Sequence, residues 1–188
     1  MRITGGKAKG IRIIAPKGYK IRPATDKNRE AVFASLNISI EGSTCIDLFA
    51  GSGSYGLEAL SRKAKSCTFI DKEKASIESI KINFSNVQKS AKINSENAVF
   101  KKLNLLSLPK SPNLEFDVIF LDPPYLLWEK YMKFLLDELA IFYSHKNTIL
   151  VIEIPGNVYP ISKKWSSYKS IGKNEKSNPK LEILKKVN

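Results

Sequence analysis

Between residues 44 and 154 the chain alternates short apolar segments with longer amphipathic ones, and this pattern restricts the fold more than any other feature. The apolar segments are typical of strands buried on both faces, and the amphipathic ones place apolar residues at helical spacing. The predicted strands cover residues 44–49, 66–71, 98–103, 117–121 and 148–154, and the predicted helices cover residues 54–63, 73–89 and 128–143. This order predicts an α/β fold with a parallel sheet covered by helices on both faces.

Two β-hairpins are predicted outside this alternation, from residues 2–4 with 11–15 and from residues 167–172 with 180–186. The first surrounds a turn rich in glycine and lysine, and the second would add antiparallel strands at one edge of the sheet. A further helix is predicted to begin at Thr25 or Asp26, either of which can cap it. We therefore expect a basic N-terminal hairpin or arm over residues 1–24, followed by an α/β domain over residues 25–188.

The net charge of +13 is concentrated at the two ends of the chain. Residues 1–30 contain nine Lys or Arg against two Asp or Glu, and residues 163–188 contain eight against two. The segment between them is balanced, as in an ordinary globular core. This segregation favours a polyanionic partner whose phosphates give affinity without sequence choice, although a general excess of lysine for solubility would give the same total.

Other classes of protein are disfavoured by what the sequence lacks. No apolar run approaches the ~18 residues of a transmembrane helix, and the N-terminus has no signal-peptide core. Cys45, Cys67 and the single histidine, His145, are not at metal-ligand spacing, so no metal site is expected. The chain is expected to be a cytoplasmic monomer with reduced, buried cysteines.

A glycine motif follows the first strand of the alternation. Residues 47–56 contain Gly-x-Gly-x-x-Gly, in which Gly51 and Gly53 allow a tight turn, and Asp71 ends the next strand, where an acid can bind ribose hydroxyls. A nicotinamide-dependent oxidoreductase would show nearly the same pattern. However, Asp47 lies four residues before the first glycine, where a carboxylate suits an ammonium group better than a pyrophosphate. The motif therefore favours S-adenosylmethionine, which carries an ammonium and a sulfonium group.

The motif Asp122-Pro123-Pro124-Tyr125 follows the strand at residues 117–121. The exocyclic amino group of a nucleobase is a poor nucleophile, because its lone pair is delocalised into the ring. A carboxylate at Asp122 and the carbonyl of Pro123 could accept its two N–H bonds and direct the lone pair out of the ring plane. The prolines fix this geometry, and Tyr125 could stack on an extruded base, a contact of ~1–3 kcal/mol.

Both motifs resemble those of known methyltransferases. Residues 122–125 are similar to the (Asp/Asn/Ser)-Pro-Pro-(Tyr/Phe) signature of amino-methyltransferases, and residues 47–56 to the S-adenosylmethionine motif of the same superfamily. From Arg2 to Lys186 the chain resembles the RsmD family, whose members methylate N2 of one guanine in small-subunit (16S) ribosomal RNA. The segments that carry this likeness are residues 11–14, 22–26, 29–30, 33, 47–53 and 56–62.

The resemblance implies a Rossmann-like class I methyltransferase fold, with a seven-stranded, mostly parallel sheet and an antiparallel edge hairpin. It assigns S-adenosylmethionine to Thr25, Asp26, Asp47, Gly51, Gly53, Asp71 and Asn104, and the guanine to Asp122, Pro123, Pro124 and Tyr125. Ala24 stands where the family usually has Thr, and Tyr55 where a smaller or aliphatic residue is common. Neither departure is expected to touch the chemistry.

The basic N-terminal region then acquires a predicted role in binding ribosomal RNA or an assembling small subunit. The residues predicted to bind RNA phosphates are Arg2, Lys7, Lys9, Arg12, Arg22 and Arg29. An adenine-N6 methyltransferase acting on DNA or RNA remains an alternative, because adenine also offers a conjugated amine. A nicotinamide-dependent oxidoreductase and a non-catalytic RNA-binding factor are weaker alternatives. The choice of guanine over adenine rests on the resemblance alone.

Overall fold

The computed structural model describes residues 1–16, 26–36, 39–110, 114–155, 162–172 and 180–187, with Tyr125 and Glu129 described only by their backbones. Within these residues seven strands form one sheet: β1 Thr44–Leu48, β2 Ser66–Asp71, β3 Ala98–Lys102, β4 Phe116–Leu121, β5 Ser144–Ile154, β6 Trp165–Ile171 and β7 Lys180–Lys186. The α-helices are α1 Asp26–Leu36, α2 Ser54–Ser61, α3 Lys74–Ala91 and α4 Trp128–Phe142. None of the helices described is both long and apolar enough to cross a bilayer.

The strand order across the sheet is β3-β2-β1-β4-β5-β7-β6. Strands β1 to β5 are parallel, and β7 is antiparallel to both β5 and β6. The predicted α/β fold with an antiparallel pair at one edge is therefore confirmed. After β3 the chain returns to pair β4 with β1, so the strand order reverses between β1 and β4. Ligands of such sheets bind at the carboxyl ends of the strands beside this reversal.

Apolar side chains alternate between the two faces of the sheet, and each face has its own core. On β1, Cys45 belongs to the core beneath α1, α2 and α3, whereas Ile46 and Leu48 belong to the core beneath α4. The buried stripe of α4 consists of Trp128, Met132, Leu135, Leu136 and Leu139, at the spacing that one helix face requires. Side chains of successive residues at the strand ends therefore point to different layers.

The N-terminal segment packs on the helical layer instead of forming a regular hairpin. An antiparallel bridge joins Arg2 to Arg12, and the N–H groups of Ile3 and Ile13 donate to the carbonyls of Ile11 and Met1 at 2.9 and 3.1 Å. The two predicted segments therefore pair, but two regular strands are not confirmed. The segment is also bound to α2, because the amides of Thr4 and Gly5 donate to the Glu58 carboxylate at 2.8 and 2.7 Å. The side chains of residues 3, 8 and 13 join the core of α1 to α3. The predicted domain boundary at residues 24 and 25 falls in the undescribed segment 17–25 and stays a prediction.

Candidate active site

The glycine turn between β1 and α2 brings the helix close to the sheet. Gly51 and Gly53 have φ values of 54° and 77°, which L side chains rarely adopt. A Cβ on Gly56 would lie 2.3 Å from Cε1 of Phe69 on β2, so only glycine permits this approach. The turn therefore holds the N-terminus of α2 beside the carboxyl ends of β1 and β2, where its backbone amides can meet a ligand.

Asp47 is buried beneath the glycine turn. Its Oδ2 atom accepts a hydrogen bond of 2.9 Å from the backbone N–H of Gly56, in the first turn of α2. Burial raises the pKa of Asp47 well above its usual range, the Gly56 hydrogen bond opposes that shift, and the charges of Asp122 and Asp71 add to it. Asp47 is thus held by the helix N-terminus and lies within electrostatic range of two other acids.

Asp71 closes β2 and fixes the glycine turn from the other side. Its Oδ2 atom accepts from the N–H of Gly51 at 2.9 Å, and its Oδ1 atom accepts from the N–H of Glu73 at 2.9 Å. Asn104 follows β3 nearby, since the N–H of Leu103 donates to the Asp71 carbonyl at 3.0 Å. The Asn104 side chain is exposed and accepts from the Leu106 N–H at 3.1 Å. The predicted ribose and adenine residues are therefore neighbours.

Asp122 lies immediately after β4, on the other side of the strand reversal. Its side chain is half-buried, and within the described part of the chain no residue hydrogen-bonds to its carboxylate. Pro123 is buried beside it, and the Pro124 carbonyl accepts from the Leu127 N–H at 2.9 Å, closing a short turn. Burial raises the pKa of Asp122 to about 8, with a further contribution from the charge of Glu153.

Four carboxylates end up on one face of the sheet: Asp71 on β2, Asp47 on β1, Asp122 after β4 and Glu153 on β5. The register shows why, because Leu48 pairs with Leu121, and Leu121 pairs with Ile152. Those leucine and isoleucine side chains face α4, so the acids one residue away face the opposite layer. Among the described lysines and arginines, none forms an ion pair with the three aspartates. Such a cluster favours a cationic ligand.

Tyr55, in the first turn of α2, is buried beside this cluster. Its ring stacks on Phe120 and Phe33, with centroid distances of 5.4 and 6.5 Å. Its hydroxyl is buried and has no hydrogen-bond partner among the described residues. Burial raises the pKa of Tyr55, and the charges of Asp122 and Glu153 raise it further. The sequence did not identify Tyr55 and Glu153 as neighbours of Asp122.

The structure separates the predicted RNA-binding residues. Arg2, Lys7, Lys9 and Arg12 are exposed on the N-terminal segment. Arg29 is fully buried, so its assignment to RNA phosphates is corrected: its Nε atom pairs with Glu58 at 3.3 Å, and its guanidinium also donates to Asp26 and to the Arg2 carbonyl. A charge enclosed in this way cannot reach a ligand on the surface.

The remaining predicted residues are Asp26, Arg22, Thr25 and Tyr125. Asp26 is the first residue of α1, and its carboxylate lies 2.9 Å from Arg29 and 3.9 Å from Arg2. Arg22 and Thr25 lie outside the described residues, and the side chain of Tyr125 is not described. Their assignments to RNA, cofactor and base stay predictions.

Comparison with known proteins agrees with this geometry. Residues 1–178 match the family described as conserved hypothetical protein 95. A ribosomal RNA small subunit methyltransferase D from Buchnera aphidicola is 31% identical over 181 residues, which cover 90% of this chain and 88% of the relative. The chain belongs to the RsmD family. The resemblance inferred from the two motifs is therefore confirmed.

Other relatives show how far the similarity extends. A ribosomal RNA small subunit methyltransferase D from Haemophilus influenzae is 38% identical over 127 residues, covering 66% of this chain and 64% of the relative. The match therefore spans just under two thirds of that relative. The solved structure of a candidate methyltransferase from Escherichia coli superposes with a TM-score of 0.83 at 24% identity, covering 99% of this chain and 97% of the other. The Rossmann-like class I methyltransferase fold is thus confirmed for this RsmD-family chain.

Proposed function

We propose that this RsmD-family chain transfers the methyl group of S-adenosylmethionine to the exocyclic N2 amine of a guanine in small-subunit ribosomal RNA. The observation that carries the proposal is the Asp122 carboxylate. It lies at the strand reversal, among three other acids, and accepts no hydrogen bond from any described residue. Two relatives are named ribosomal RNA small subunit methyltransferase D, which supports small-subunit ribosomal RNA as the substrate.

The residues present fit S-adenosylmethionine as the cofactor. Its ammonium and sulfonium groups would be attracted by the carboxylates of Asp47, Asp71 and Asp122, which no described cation neutralises. The remaining lone pairs of Asp71 suit ribose hydroxyls, because each of its oxygens accepts one N–H from the described residues. The other proposed contacts are Gly51 and Gly53 with the amino-acid end, Asn104 with the adenine, and Thr25 and Asp26 over the cofactor. When bound, S-adenosylmethionine supplies an electrophilic methyl group.

Asp122 would activate the amine through hydrogen bonding. Its carboxylate and the Pro123 carbonyl accept the two N–H bonds and direct the nitrogen lone pair out of the base plane. Pro123 and Pro124 hold these acceptors in place without offering competing N–H donors. The proton that the methylated amine loses can be held by the Asp122 and Glu153 carboxylates, since a group with a pKa of about 8 is a competent acceptor near neutral pH.

The chemistry is tested by Asp122→Ala. The purified variant and the wild type are incubated with radiolabelled S-adenosylmethionine and unmodified small-subunit ribosomal RNA, and the product nucleoside is identified by mass spectrometry. We expect N2-methylguanosine from the wild type, and at least a hundredfold lower rate from the variant with cofactor binding retained. Glu115→Gln, exposed just before β4, is the matched control. Full activity in Asp122→Ala, or N6-methyladenosine as the product, would overturn the proposal.

RNA binding is proposed for the four exposed cations of the N-terminal segment and for Arg22. Because this segment shares the core, deleting it would also unfold the protein, so substitution is the cleaner test. Changing Arg2, Lys7, Lys9 and Arg12 together to Gln should lower the salt slope of RNA binding by up to about 3, at ~0.7 per single-strand phosphate contact. Changing the exposed Lys65, Lys74, Lys89 and Lys101 to Gln is the control. An equal loss in both variants would contradict the assignment.

A further inference from the structure

We propose that Glu153 accepts the N1–H of the target guanine while Asp122 accepts its N2 amine, so that two carboxylates on neighbouring strands select guanine over adenine. This inference rests on the proposed function, because it concerns the base held at the same site. It assigns a role to a residue that neither sequence motif contains.

The register of the sheet places the two acids side by side. Strands β4 and β5 are parallel, with Leu121 opposite Ile152, so the residues that follow, Asp122 and Glu153, lie at the same level. Adjacent strands are ~4.8 Å apart. Since Leu121 and Ile152 both face the α4 core, the next side chains on both strands face the opposite layer. Two carboxylates therefore stand next to each other at the carboxyl edge.

The electrostatics of the site agree with this placement. Glu153 is the charged residue that raises the pKa of Asp122, so the two carboxylates are close enough to repel each other. Both side chains are half-buried at the strand ends, where repulsion is weakly screened. A ligand edge that donates hydrogen bonds to both carboxylates would relieve that repulsion.

Guanine offers such an edge, and adenine does not. Guanine presents the N1–H beside the two N–H bonds of its 2-amino group, which gives adjacent donors for two acceptors. Adenine presents the N–H bonds of its 6-amino group beside N1, which carries a lone pair and no hydrogen. If adenine were bound beside Asp122 and Glu153, the N1 lone pair would face a carboxylate and could not donate a hydrogen bond to it. Sites built around such hydrogen bonds discriminate strongly against analogues that lack the donor.

The test replaces the target guanosine with 2-aminopurine, which keeps the 2-amino group but has an unprotonated N1. Small-subunit particles are reconstituted on ligated ribosomal RNA carrying either base, and single-turnover methylation is measured at saturating S-adenosylmethionine. We expect the wild type to prefer guanosine by at least tenfold. In Glu153→Gln the amide can rotate to donate to N1 of 2-aminopurine. The guanosine rate should therefore fall about tenfold, while the 2-aminopurine rate stays constant or rises.

The outcomes separate this inference from the proposed function. If wild type and Glu153→Gln show the same preference for guanosine, Glu153 does not read N1 and the inference fails, although the function stands. If the wild type methylates neither base but methylates adenosine in the same RNA, the proposed function fails. Glu41→Gln, exposed just before the amino end of β1, should retain the wild-type preference. A structural effect of Glu153→Gln would lower both rates equally, which would also overturn the inference.

Discussion

Binding of S-adenosylmethionine at pH 7 should release close to one proton from Asp122 and Glu153. The pKa of Asp122 is about 8, so at pH 7 the two carboxylates together hold a proton in a fraction of about 0.9 of the ligand-free molecules. The positive charge of a bound sulfonium would favour the ionised form of these carboxylates, and the proton would then be released. The apparent affinity for S-adenosylmethionine should therefore rise by up to about tenfold per pH unit between pH 6 and 8.

Isothermal titration calorimetry in buffers with different ionisation enthalpies measures the number of protons released. Burial also raises the pKa of Asp47, so Asp47 can release a proton as well. The contribution of Asp122 is therefore measured as the difference in proton release between the wild type and a variant. Asp122→Asn should release about 0.9 fewer protons than the wild type at pH 7. S-adenosylhomocysteine, whose sulfur is neutral, should release fewer protons than S-adenosylmethionine. Equal proton release by the wild type and Asp122→Asn would refute the reasoning.

Three further predictions concern stability and are measured by urea unfolding of the ligand-free protein. Glu58→Gln should lower the free energy of unfolding by about 3–5 kcal/mol, because it leaves the buried Arg29 charge without its buried partner; a loss below 1 kcal/mol would contradict this. Gly56→Ala should destabilise by about 1–3 kcal/mol, since the added Cβ meets Phe69; an unchanged midpoint would show that the contact relaxes freely. Tyr55→Phe should stabilise by about 1 kcal/mol by removing a buried hydroxyl without a described partner; destabilisation would reveal a partner.

Apart from the start of β5, the bounds of the strands could be predicted from the sequence to within two residues. The predicted bounds of β2 and β7 are those observed, although both strands contain polar residues, among them Thr68 in β2 and Glu182 in β7. Strand β5, by contrast, begins at Ser144, whereas the prediction began at residue 148. Its first residues include His145 and Asn147, which are polar and partly or fully exposed. The apolar pattern that predicts a strand therefore begins four residues after the strand itself.

Arg29 shows that charge alone is a poor guide to exposure. Its spacing from Val32, Phe33 and Leu36 is that of one helix face, and all four side chains are buried. The sequence therefore contained the signal that Arg29 faces the core. What the sequence could not show is the partner, since Glu58 lies on another helix and meets Arg29 only after α1 and α2 pack together. Long-range ion pairs of this kind depend on tertiary structure.

The candidate site was only partly visible in the sequence for a related reason. The glycine turn and the motif at Asp122 are local, so their residues and spacing could be recognised. The position of Glu153 depends on the pairing of β4 with β5 and on its exact register. A shift of one residue would turn Glu153 to the opposite face of the sheet. No local pattern in the sequence specifies that register.

The aspartates of the site differ in the hydrogen bonds that they accept from the protein. Asp47 accepts the Gly56 N–H, and Asp71 accepts those of Gly51 and Glu73, so both hold the glycine turn in place before any ligand arrives. No described residue donates a hydrogen bond to Asp122. Ionisation of a partly buried carboxyl group without donors is unfavourable in the ligand-free fold, in agreement with its raised pKa, and donors from a ligand would relieve that cost. Under the proposed function, hydrogen bonds from the substrate would satisfy Asp122, whereas the fold itself satisfies Asp47 and Asp71.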